Sequence, residues 1–110
     1  MGDVIKFVQT ATISSGGTLE ILYTHDPKGK PSRVGLIALS ITAGTKTGRS
    51  CIFYGNDPNN MVCLQTHEHT ATAYSNTYEP DIVIQPGQCI KFYAQTVTAG
   101  DTVVVMVEGH

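Results

Sequence analysis

The chain has no tryptophan, and its charged residues make up 15% of it, well below the roughly 25% of an average soluble domain. With 41% hydrophobic residues, that balance excludes a charged disordered tail, which needs high net charge and few apolar side chains. The formal net charge is −2, so neither nucleic acid nor an anionic membrane is an expected partner. Apolar runs are short: the longest, Val34 to Ile41, is broken by Gly35 and Ser40 and falls far short of the ~20 residues of a helical membrane span. The opening Met1-Gly2-Asp3-Val4-Ile5-Lys6-Phe7 lacks a basic stretch followed by an apolar one, so export is not expected. Cysteine is scarce too. Cys51, Cys63 and Cys89 form no CxxC pair, and each sits in an apolar run, so the reading is of small buried hydrophobes in a reducing cytoplasm.

Helix formers are equally thin. Leu, Ala, Glu and Lys are sparse, whereas Thr, Val and Ile together supply nearly a third of the 110 residues. β-branched side chains fit a pleated surface and crowd the preceding turn of a helix. No twelve-residue window carries a 3.6-residue apolar stripe. The expectation is an all-β chain, a single antiparallel β-sandwich or jelly roll of about eight strands over residues 1–110.

Turn signals divide the chain. Val4–Ile13 alternates, with Ile5, Phe7, Ala11 and Ile13 on one face, and Ser14-Ser15-Gly16-Gly17 is expected to close a hairpin into Thr18–Thr24. A polar loop, His25 to Pro31, leads into Arg33–Thr42, whose apolar residues on both faces predict a central strand. Then follow Arg49–Gly55, the turn Asn56-Asp57-Pro58-Asn59-Asn60, and one long segment from Met61 to about Ser75. Asp81–Gln85, Gln88–Val97 and Thr102–Glu108 complete the set, separated by Pro86-Gly87 and Thr98-Ala99-Gly100-Asp101.

Catalytic constellations do not assemble from this list. No Gly-x-Ser-x-Gly elbow surrounds any serine, no glycine-rich loop opens a helix, and Cys89 has apolar neighbours rather than a base. An enzyme is not expected, nor a cofactor. The sharpest metal signal is His67-Glu68-His69, because residues two apart on a strand share a face. Two nitrogens need at least one more ligand, from His25, His110, a carboxylate or a second copy. The simpler reading is two histidines on a polar strand face. A carbohydrate-binding module is the alternative function, with Tyr54, Tyr74 and Tyr78 as sugar platforms beside Asn56, Asp57, Asn59 and Asn60. Those Asn and Asp residues also read as turn formers. Five of the seven basic residues, Lys28, Lys30, Arg33, Lys46 and Arg49, flank one central strand and are candidates for meeting an acidic partner. The N-terminal segment with Val4, Ile5 and Phe7 is a candidate to add a strand to a neighbour's edge.

The C-terminal third has a texture of its own. Asp81-Ile82-Val83-Ile84-Gln85-Pro86-Gly87-Gln88-Cys89-Ile90-Lys91-Phe92, followed by Thr98-Ala99-Gly100-Asp101-Thr102-Val103-Val104-Val105-Met106-Val107-Glu108-Gly109, resembles the end of small phage virion β-sandwich proteins of the capsid decoration type. The resemblance spans residues 81–109 and marks turns rather than a site. It implies a structural virion protein, assembled in the host cytoplasm, that cements the major capsid protein or other virion subunits. It also implies a homo-oligomer, a trimer being favoured because such proteins often sit on local three-fold axes.

Overall fold

The computed structural model describes residues 4–12, 17–42, 48–69, 73–97 and 100–110. Among them no residue is helical, and nine strands form. These are β1 (Ile5–Thr12), β2 (Gly17–Thr24), β3 (Ser32–Thr42), β4 (Gly48–Asp57), β5 (Asn60–His69), β6 (Ala73–Tyr78), β7 (Ile82–Ile84), β8 (Cys89–Val97) and β9 (Thr102–Gly109). The first sheet has the order β1-β9-β3-β6, with short β7 also on β3; the second has the order β2-β8-β4-β5. Every pairing is antiparallel. A five-stranded and a four-stranded layer sharing one core, with most neighbours remote in sequence, make a jelly roll.

Nine strands replace the expected eight because the segment from Met61 to Ser75 is two strands, β5 in the second sheet and β6 in the first. The expected hairpin of the first two strands does not form. β1 instead meets β9 in an unbroken register from Ile5↔Gly109 to Thr12↔Thr102, and β2 meets β8. Between them, Ser14, Ser15 and Gly16 lie outside the described residues. Each strand has one apolar face, and a two-layer fold lets both faces look into the same core from opposite sides. The turn at Pro58-Asn59 does close a hairpin, with Asp57 opposite Asn60 and Asn59 N–H donating to Asp57 Oδ1 at 2.8 Å. Pro86-Gly87 also turns as read: Gln88 N–H donates to Gln85 O at 3.0 Å, and Gly87 takes φ +86°, which a side chain would strain.

The core is aliphatic. Val103, Val105 and Val107 of β9 and Ile37, Leu39 and Ile41 of β3 face Ile90, Phe92 and Ala94 of β8 and Ile52 of β4, all buried. One irregularity sets what β3 shows outside. The register runs Val34↔Gly109 and then Leu36↔Glu108, leaving Gly35 as a bulge residue. The extra residue shifts the alternation, so Val34 and Ile37 both point inward although three positions separate them. Beyond the bulge Leu36, Ala38 and Ser40 face out.

Candidate interaction surface

The outer face of the first sheet is built by register. Val8 lies opposite Met106, Met106 opposite Ala38, and Ala38 opposite Thr77, which makes one row across four strands. The next row reads Thr10, Val104, Ser40, Ser75. On the other side of the central row, Lys6, Glu108 and Leu36 align. Val8 is 56% exposed, and Met106, Ala38, Val104 and Leu36 are half-buried only by their own neighbours in the sheet. These side chains are short or flexible, so the face is flat, apolar at its centre and polar at its margin. A shallow cleft of about 340 Å³ opens at the bulge end, lined by Gly35, Leu36, Glu79, Glu108, Gly109 and His110. Two carboxylates therefore stand beside Leu36 at the end of the row that Lys6 begins.

The second sheet's outer face is finished differently. Leu22, Lys91, Phe53 and Cys63 form its middle row, flanked by Glu20, Tyr93, Cys51 and Thr66. Lys91 lies with its ammonium 5.2 Å from the centre of the Phe53 ring and 3.8 Å from Glu20, so a long side chain covers the apolar surface and brings its own counter-charge. Cys51 and Cys89 are buried in the same sheet.

The other expected site residues fall apart from one another. Lys28, Lys30 and Arg33 stand at the end where His25 N–H donates to Gln88 O, the Gly55↔Cys89 end of the second sheet. Arg49 precedes Ser50, which pairs with Ala94 at the opposite end, and Lys46 lies outside the described residues. The structure does not bring the basic residues into one patch. Arg33 is joined to Asp81 by an exposed ion pair, which contributes little to stability. The side chains of Ile5 and Phe7 turn into their own chain, Ile5 buried and the Phe7 ring tilted against Tyr23 with centroids 5.1 Å apart, so a strand added at this edge would be held by the main chain. Val4, 77% exposed, stays at the surface, and β1 remains an edge strand of its sheet.

The side chains of His67 and His69 lie outside the described residues. Of the further ligands considered for them, His25 is excluded by geometry. It is buried, its Nε2–H donates to Lys30 O at 2.6 Å, and Nδ1 accepts from the Tyr23 hydroxyl at 2.9 Å. His110 lines the cleft at the bulge instead. Tyr54, read as a sugar platform, is tied inward: its hydroxyl donates to Gln88 Oε1 at 2.7 Å, while Gln88 Nε2 donates to Asn56 Oδ1 at 2.9 Å. Tyr78 packs on the core, and the Tyr74 side chain lies outside the described residues. Cys63 departs from its reading as a buried hydrophobe. It is exposed, with Thr66 Oγ1 between its sulfur (3.2 Å) and that of Cys51 (3.8 Å).

Sequence reasoning missed Val8, Ala38, Glu79, Met106 and Glu108 as surface-forming residues. The signal was present in Val103–Val107, a run with no polar face although only one face of such a strand meets the core.

Neither a protein-family model nor a curated protein matches the chain. Among solved structures it is similar to the crystal structure of the Yersinia pseudotuberculosis-derived mitogen (YPM), with a TM-score of 0.51 and 12% identity over 100% of this chain and 88% of that one. The likeness shows the fold, a two-sheet all-β architecture, and carries no activity across.

Proposed function

We propose that this chain is a structural virion protein, of the kind that decorates a phage capsid, and that it works by binding and stabilising the capsid lattice. The observation that carries the reading is the flat outer face of the first sheet, where, among the described residues, Val8, Leu36, Ala38, Val104 and Met106 point away from the shared core. Contiguous apolar surface of this kind marks an interaction site on a soluble protein. Jelly rolls build viral shells as well as lectins, and the Pro86-Gly87 and Gly100-Asp101 texture of residues 81–109 adds the likeness to virion sandwiches. Attachment would use the Lys28 and Lys30 loop at one end of the 42 Å long domain, exposed positive charge suited to steering onto an acidic shell. Cementing follows from geometry alone, since a rigid body bridging two shell subunits must be released from both before they separate.

The test is co-sedimentation of the purified chain with heads assembled from a phage major capsid protein. Saturable binding at a fixed ratio to shell subunits, with heads that resist heat better when decorated, is the expected result. A chain that stays in the supernatant and is instead retained by a glycan array would establish the carbohydrate-binding alternative.

A further inference from the structure

The geometry points to a second copy of this chain as the occupant of the first sheet's outer face, related by a two-fold axis lying in that face parallel to β9. The inference gives to a second copy the face on which the virion reading rests, so that in the dimer capsid attachment falls to the Lys28 and Lys30 loop and the surfaces left open. Such an axis between β9 and β3 keeps each end of the sandwich at the same end and exchanges left for right. β9 then lies over the partner's β3, and β1 over the partner's β6.

Size and charge both fit that operation. In the central row Met106 meets the partner's Ala38, and Val8 meets the partner's Thr77, so the largest side chain of the face enters its shallowest point twice over. In the next row Val104 meets the partner's Ser40 in the same large-on-small sense. At the bulge end, Lys6 is carried onto the partner's Glu79, which follows β6, while Glu108 comes over the partner's Leu36 at the open mouth of the cleft. Among the described residues no ion pair joins Lys6 to Glu108 within one chain, although the register sets them opposite each other. Packed sheets cross at about 30°, which displaces the corners by several ångströms, and the flexible lysine stem spans that offset. A two-fold whose axis runs across the strands would instead set Lys6, Glu79 and Glu108 against the uncharged Thr10, Ser40 and Ser75 end, leaving three charges without partners.

The area reaches the threshold. Four strands at about 4.8 Å spacing and about eight residues each at 3.3 Å give about 500 Å² per copy, or about 1,000 Å² in all, where biological interfaces begin. Pairing through this face leaves the second sheet, the β1 edge and the Lys28 loop open to other partners.

Sedimentation equilibrium of the full chain, without capsid material, tests the proposal. The unaltered chain should be a dimer at micromolar concentration. Ala38→Arg places a cation at the centre of the face and should give a monomer with an unchanged far-ultraviolet spectrum. Should that variant fail to fold, a charge exchange decides. Lys6→Glu alone and Glu79→Lys alone should each raise the dimer dissociation constant about tenfold or more, because each creates two like-charge contacts, and the double variant should recover most of the loss. A monomeric or trimeric unaltered chain, or single variants whose effects simply add in the double, would overturn the assignment. Capsid binding by a chain found to be monomeric would leave the virion reading standing while removing this one.

Discussion

The two outer faces of the sandwich solve one problem in opposite ways. Each sheet buries one face in a common core and must present the other to something. On the second sheet that something is partly the chain itself: Lys91 lies across Phe53 and takes Glu20 as counter-charge, Cys51 and Cys89 are buried, and Leu22 in the same row stays 39% exposed. On the first sheet no such charged side chain lies across Val8, Leu36, Ala38, Val104 and Met106 among the described residues, and the described charges of that face stand at one end. A side chain that folds over its own face lowers the free energy of the monomer. A flat face stores that gain until another surface arrives. The difference separates what stabilises the fold from what the fold offers to partners, and it is open to direct attack.

The largest effect is expected where a glycine lies against a neighbouring strand, as Gly55 does on the second sheet and Gly109, with a Cβ 2.3 Å from the Arg33 carbonyl oxygen, does on the first. On the second sheet a Cβ added at Gly55 would lie 2.1 Å from the Asn60 carbonyl oxygen and 2.7 Å from Met61 Cα, both main-chain atoms of the adjoining strand. Gly55→Ala must therefore push β4 and β5 apart and should cost about 3 kcal/mol, the upper end of over-packing, read as a lowered urea midpoint. On the first sheet a Cβ at Gly35 meets nothing within 4 Å. Gly35→Ala should be neutral or should stabilise by up to about 1 kcal/mol through the unfolded chain. Equal losses at the two positions would erase the contrast.

Next in size is Lys91→Ala, which removes the stem from Phe53 together with the exposed partner Glu20, and should cost about 1 kcal/mol in the same measurement. Lys91→Met keeps the stem and should recover about half of that, since cover rather than charge is the larger part. A loss for Lys91→Met as great as for Lys91→Ala would show that charge dominates and that the face is not self-covered in the sense argued.

The thiols report the same contrast without mutation. Cys63 is exposed at the margin of the second face, while Cys51 and Cys89 are buried in the same sheet. A thiol reagent should modify one cysteine of the folded chain and three in denaturant, as mass spectrometry would count them. Rapid modification of Cys89 in native conditions would mean that the sheet opens readily.

How much of this could be read beforehand follows from what kind of information each feature needs. Strand positions were legible because β-branched content and alternation are local, and Pro86-Gly87 and Pro58-Asn59 turn where they were expected to. Pairing was not legible, since β1 and β9 lie at opposite ends of the sequence and no local pattern announces their eight-residue match. The inward set of β3 changes phase at Gly35, so simple alternation misassigns either Val34 or Ile37. Histidine and tyrosine drew attention by chemical type, yet His25 and Tyr54 have their polar atoms bonded inside the chain. The uncovered face consists of Val, Ala, Ser and Met, residues that carry no chemical flag, and becomes visible only when four strands align them.

The smallest effect is expected on that face itself. Val8→Thr exchanges a methyl for a hydroxyl on a side chain that touches no core residue, so it should change monomer stability by less than about 0.5 kcal/mol. The background in which this is measured decides its meaning. In the Ala38→Arg chain, held monomeric, the unfolding midpoint should not move. In the unaltered chain, folding is linked to association and the midpoint rises with protein concentration. There Val8→Thr should flatten that rise, because Val8 meets the partner's Thr77 and a second hydroxyl at that contact must be desolvated. A clear midpoint shift in the monomeric background would mean that Val8 helps hold its own sheet together, and the division of labour between the two faces would be wrong at that position.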